Sequence, residues 1–176
     1  MQGTIAKVKE LGGTILMEMA IPTVGAFAVC KDPQGVVFAV FQPEETTPGH
    51  DGPPAVGEFS WCELLTDGWE GAWSFYSDLF GWEKTDAMDM GDKGMYQMFG
   101  RGAHPIGGMM NKPDEWPAVS WLFYICVADI EAAARKVKEL GGSVSNGPME
   151  VPGGDMIAQC MDPAGAAFAM HSTAAS

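Results

Sequence analysis

Lys136-Val137-Lys138-Glu139-Leu140-Gly141-Gly142 repeats, letter for letter, Lys7-Val8-Lys9-Glu10-Leu11-Gly12-Gly13 at an offset of 129. After a one-residue slip the correspondence resumes at offset 130. Pro22, Ala28, Cys30, Asp32, Pro33, Gly35, Phe38 and Ala39 return as Pro152, Ala158, Cys160, Asp162, Pro163, Gly165, Phe168 and Ala169. A stretch of roughly 35–40 residues that returns with its turn residues in register is a copied structural unit.

The later copy reads in full. Ser120 to Val127 is rich in aromatic and β-branched residues and predicts a strand. Asp129 caps a helix from Ile130 to Leu140, with Ile130, Ala133, Ala134, Val137 and Leu140 on one face and Gly141 as its stop. Strands follow around Val144 and over Met156–Met161. Asp162-Pro163-Ala164-Gly165 is then a type I turn, with Pro where φ must be near −65°. Ala166 to His171 closes the unit, which is therefore β-α-β-β-β.

Residues 58 to 110 follow the same plan with less identity. Glu58 to Leu65 is a strand, and Asp67 with Glu70 has the form of a capping box. Trp69, Ala72, Trp73, Tyr76, Leu79 and Phe80 line one helical face, which Gly81 ends. Three short strands follow. The first copy begins at the equivalent of Ile130, so it is expected to form only α-β-β-β. The expected organisation is a partial module over 1–42, a Pro/Gly-rich linker over 43–57, and a complete two-module domain over 58–171. The fold class is α+β.

Composition narrows the function. With 176 residues, 47% of them hydrophobic and 19% charged, the chain can bury about two-thirds of its unfolded surface. A net charge of −13 without a basic patch argues against nucleic acid and anionic membranes as partners. No apolar run approaches 18 residues and Met1 opens no signal-peptide pattern, so a cytoplasmic location is expected. Cys30, Cys62, Cys126 and Cys160 show no CxxC spacing and lie in strand-like segments, which favours buried free thiols over disulfides or zinc.

Paired β-α-β-β-β modules with Phe75-Tyr76-Ser77-Asp78-Leu79-Phe80-Gly81-Trp82 at a helix end resemble the vicinal oxygen chelate superfamily, which includes glyoxalase I, extradiol dioxygenases and bleomycin-resistance proteins. Val127-Ala128-Asp129 before the Leu140-Gly141-Gly142 helix end, and the two Asp-Pro-x-Gly turns, carry the same resemblance. It implies sheets wrapped into a cup, helices on the outer face, and metal ligands on the first and fourth strands of each module. The likeness to tandem-domain members further implies that this chain lacks a first module and the opening strand of the second. An exposed sheet edge there leads us to expect a homodimer through residues 1–42.

Transferring the family's ligand positions places them on Trp61, Leu122, Ala169 (Ala39 in the first copy) and the neighbourhood of Gly107–Met109. None of these side chains donates oxygen, nitrogen or thiolate to a divalent ion. No metal and no other cofactor is expected, a divalent metal being the alternative. Strand alternation sends Trp61 and Glu63 to one face, and Leu122, Tyr124, Ala169 and His171 to the cup. Glu63 and His171 are thus the candidate catalytic pair, set against a plain reading of one solvated cup residue and one frayed terminal residue. Trp61 and Tyr124 are candidates for stacking on a planar ligand, with Leu122, Met98 and His104 as further ligand contacts. His104 also reads as a simple turn residue, and His50 as part of the linker. Two functions follow: a metal-free protein holding a small apolar or aromatic molecule, or a metal-dependent lyase or dioxygenase.

Overall fold

A computed structural model describes residues 1–46, 52–102, 104–114, 116 and 118–174; His50 and part of the linker lie outside the described residues. The elements are α1 (Gln2–Glu10), β1 (Thr14–Ile21), β2 (Gly25–Lys31), β3 (Val37–Pro43), β4 (Phe59–Thr66), α2 (Trp69–Phe80), β5 (Glu83–Asp89), β6 (Met95–Arg101), β7 (His104–Asn111), β8 (Ser120–Cys126), α3 (Ile130–Glu139), β9 (Ser143–Glu150), β10 (Met156–Met161) and β11 (Ala167–Ser172). One 3₁₀ turn, Gly91–Lys93, sits before β6. The class is α+β, and α1-β1-β2-β3 and α3-β9-β10-β11 share one order of elements.

The repeat holds at the level of atoms. Gly12 and Gly141 both have φ +87°, and an added Cβ on either would meet the ring of its own turn proline, Pro33 or Pro163, at 3.7 Å. Asp32 Oδ1 accepts from the backbone N–H of Gln34 and Val36 at 2.9 and 2.8 Å. Asp162 Oδ1 accepts from those of Ala164 and Ala166, both at 2.8 Å. A carboxylate that satisfies two turn amides at once explains why Asp opens both turns. The one-residue slip is also located. Val144 faces Cys160 as Ile15 faces Cys30, and Asn146 faces Gln159 as Met17 faces Val29. Past Asn146 the register shifts in β9 alone, at Gly147 with φ +87°, a bulge that absorbs the extra residue.

Compactness groups the chain otherwise than the modules do, into one unit of Met1–Asp51 with Leu64–Trp121 and another of Gly52–Glu63 with Leu122–Ser176. In the first unit β1-β2-β3 is an antiparallel sheet, with Ile5 and Val8 of α1 and Ala28 and Cys30 of β2 buried. β5-β6-β7 is a second antiparallel run. The Asp32–Gly35 turn is tied to α2. Tyr76 Oη donates to Asp32 Oδ2 at 3.1 Å, and Trp121 Nε1 donates to Tyr76 Oη at 3.3 Å. Gln34 Nε2 donates to Gly68 O at 2.6 Å, and Gln34 Oε1 accepts from Thr66 Oγ1. Phe38 meets Phe75, Tyr76 and Phe80 edge-on at 5.9, 5.5 and 6.1 Å, contacts worth about 0.5–1.5 kcal/mol each beyond burial. The other face of β1–β3 carries Met17, Met19, Ile21, Val37 and Phe41, which are between 39% and 56% exposed.

The expected cap of α2 differs. Gly68, not Asp67, stands at the N-cap, and no side-chain cap bond forms there. Instead Asn111 Oδ1 accepts from Trp69 N at 3.0 Å, while Asp67 lies 3.7 Å from Lys112 Nζ. A side chain from β7 thus satisfies one of the first-turn amides that have no partner within the helix. Asp129 does cap α3, accepting from Ala132 N at 2.9 Å.

In the second unit β8 runs parallel to β11, which is antiparallel to β10, and β10 is antiparallel to β9. Helix α3 covers one face, where Ile130, Ala134, Ala158, Cys160 and Met170 form the core. Residues of opposite parity, Tyr124, Gln159, Ala169 and His171, therefore share the face that α3 leaves. The four cysteines are free; Cys30, Cys126 and Cys160 are buried and Cys62 half-buried.

Candidate functional site

On that face one row of residues runs across the strands, with Ala169 facing Gln159 on β10 and Tyr124 on β8. Ala169 is fully buried and its side chain is a single methyl. Across it Gln159 Nε2 donates to Tyr124 Oη at 3.1 Å, a closure that a larger side chain at 169 would block. Tyr124 Oη donates to Glu63 Oε2 at 3.3 Å, and Gln159 Nε2 also donates to Glu63 Oε1 at 3.4 Å. Gln159 Oε1 accepts from Asn146 Nδ2 at 3.2 Å, at the bulge of β9. A polar chain thus runs from exposed Asn146 to buried Glu63.

Electrostatics sharpen the picture. Burial, and next the charge of Glu63, push the Tyr124 hydroxyl well above the ordinary phenol range, so it remains a donor. Burial, and then the same carboxylate, push the Cys62 thiol up to about 12, which makes it inert as a nucleophile at neutral pH. One row away, His171 Nε2 meets Asp155 Oδ2 at 3.0 Å, and the other Asp155 oxygen accepts from Ala174 N at 2.9 Å. The hydrogen bond from His171, foremost, holds the Asp155 carboxyl below its usual range.

The structure therefore unites Glu63 with Tyr124 and gives His171 a different partner, Asp155. Leu122 is buried on β8, two residues before Tyr124, and Trp61 is half-buried two residues before Glu63 on β4. Met98, half-buried on β6, and His104, exposed at the start of β7, belong to the first unit. Gln159, Asn146 and Asp155 escaped the reading of the sequence. The signal for them lay in the repeat itself. They stand where the first copy has Val29, Met17 and Gly25, while Phe41 occupies the place of His171.

The residues at the positions where the family resemblance implies metal ligands do not fit an ion. Leu122 and Ala169 are buried hydrocarbon, and beside Gly108 the ring of Tyr96 fills the space, with atoms 2.2 to 2.4 Å from where a Cβ would be. Among the described residues no group of three or more His, Cys, Asp or Glu side chains is placed to hold an ion. Among them, too, no helix is long and apolar enough to cross a membrane.

Repeated β-α-β-β-β modules with these signatures define a class. The Glyoxalase/Bleomycin resistance protein/Dioxygenase superfamily matches residues 58–170, and the chain belongs to it. In sequence it is 32% identical over 167 residues to the anthracycline biosynthesis protein DnrV of Streptomyces peucetius, a match over 93% of this chain and 59% of that protein. It is 31% identical to the anthracycline biosynthesis protein DauV of Streptomyces sp. (strain C5) over the same shares. The chain thus spans about three-fifths of the length of these curated relatives. In structure it resembles the Mn(II)-bound glyoxalase of Novosphingobium aromaticivorans, with a TM-score of 0.65 at 17% identity, over 97% of this chain and 58% of the other. The 2,3-dioxygenase LapB of Pseudomonas sp. KL28 gives 0.65 at 14%, over 99% and 67%. At such identities the likeness is one of fold.

Proposed function

We propose that the sheet face bearing Tyr124, Gln159 and Glu63 binds a small apolar or aromatic molecule, without a metal ion. One observation carries this reading. Where the family resemblance calls for an acidic ligand the chain has buried Ala169, and Gln159 and Tyr124 hydrogen-bond across it. A carboxylate already engaged by two protein donors, with hydrocarbon at the other family positions, suits orientation of an organic ligand better than capture of a cation. Half-buried Trp61 supplies apolar surface. The names of DnrV and DauV, both anthracycline biosynthesis proteins, favour a polycyclic aromatic ligand.

The second reading is a metal-dependent lyase or dioxygenase. It is favoured by the solved structures of like fold, a Mn(II)-bound glyoxalase and a 2,3-dioxygenase among them. Elemental analysis of protein purified without chelator separates the two. A stoichiometric divalent ion that resists dialysis would overturn the metal-free reading. Thermal-shift screening with small aromatics should then give a stabilising hit that Trp61→Ala weakens.

A further inference from the structure

The row of hydrogen bonds has a direction, and its direction selects a ligand. Glu63 accepts at both of its oxygens, so Tyr124 and Gln159 each turn a hydrogen inward. Tyr124 gives its only hydrogen to Glu63, and Gln159 gives both of its amide hydrogens to Glu63 and Tyr124. That orientation turns Gln159 Oε1 away from the buried end, where it accepts a single hydrogen from Asn146. A carbonyl oxygen has two lone pairs, so one is left to accept. The first copy, with Val29 and Met17 at the equivalent positions, has no such device.

We infer that this site takes hydroxylated aromatics, binding the ligand's hydroxyl as a donor to Gln159 Oε1, and discriminates against the same ring system with that hydroxyl methylated. The inference rests on the proposed binding of aromatic molecules at this face. Gln159 is the residue that sets specificity, while Glu63 and Tyr124 act through it by fixing which way its amide points.

The test uses 7-hydroxycoumarin and 7-methoxycoumarin, titrated into the purified chain by calorimetry at pH 6, where the hydroxyl keeps its proton. The hydroxy compound should bind about three- to tenfold more tightly, the span of one net hydrogen bond. Gln159→Met should bring the ratio close to one by weakening the hydroxy compound alone. Asn146→Ala, at an exposed position, leaves both lone pairs of Gln159 Oε1 to the ligand and should preserve or raise the ratio. If both coumarins bind and the methoxy compound is equal or tighter, the inference is overturned while aromatic binding stands. A ratio that falls to one in Asn146→Ala also overturns it, since the contact would then be Asn146. If neither binds a folded protein at millimolar concentration, the aromatic reading fails and the inference falls with it.

Discussion

Tyr124→Phe removes one oxygen from the buried row and nothing else of its size. Tyr124 is 3% exposed and Glu63 7%, so water does not readily replace what is lost. The substitution deletes the donor to Glu63 Oε2 at 3.3 Å and the acceptor for Gln159 Nε2 at 3.1 Å. A hydrogen bond to a charged group contributes about 1.5–3 kcal/mol and a neutral one about 0.5–1.5 kcal/mol. The lengths observed are at the long end, so the lower values apply, and the sum is about 2 kcal/mol. The phenyl ring keeps its packing, which leaves the hydrophobic term unchanged. Urea unfolding of both proteins, with amide hydrogen exchange on β8 and β10, measures the loss and assigns it to the second unit. Coupling gives the sharper result. Gln159→Met in the Tyr124→Phe background should cost at least about 0.5 kcal/mol less than it does alone, because the bond between them is already gone. Strict additivity, or a Tyr124→Phe cost below about 0.5 kcal/mol, would refute a hydrogen-bonded row.

Ala169→Glu tests the family's ligand position directly. It forces a carboxylate into a buried methyl's place beside Glu63, and should cost more than about 3 kcal/mol without creating Mn²⁺ affinity, as read by circular dichroism and metal titration. Gly108→Ala in the first unit drives a methyl into the Tyr96 ring, 8% exposed, and should cost about 1–3 kcal/mol in thermal unfolding. We propose that a second copy covers the apolar face of β1–β3; light scattering should show a dimer that Phe41→Lys dissociates, and a wild-type monomer would remove the idea.

Why the modules could be read from the sequence while the polar row could not is a matter of range. Asp32 and Asp162 bind amides two and four residues on, and Asp129 caps its helix three residues on, so short stretches suffice. Asp67 shows the limit of such local rules, since Asn111 reaches the start of α2 from 42 residues away and displaces the expected cap. The row is wholly of that second kind. Gln159 meets Glu63 across 96 residues of sequence and Tyr124 across 35. Only alignment of the two copies, with Val29 against Gln159 and Met17 against Asn146, marks those positions as departures from a plain sheet face.

The pairing of His171 with Asp155 gives a prediction whose sign is set by which group is shifted. Asp155 is held below its ordinary value in the folded chain, by the His171 hydrogen bond first. Its contribution is therefore complete above the unfolded value of about 3.9 and is lost as pH falls through the lower folded value. The Asp155 side chain is 40% exposed, so screening keeps the effect small, a shallow steepening of the acid limb below about pH 4. Asp155→Asn should flatten that limb and leave neutral stability nearly unchanged. His171→Gln, which can still donate to Asp155, should keep most of the steepening if the hydrogen bond is its main cause. If the limb flattens equally in both variants, the charge of His171 rather than the hydrogen bond governs Asp155, and the two catalytic candidates read from the sequence differ in kind. Glu63 would then be an acceptor fixed by neutral donors, and His171 one half of an ion pair that closes the end of β11.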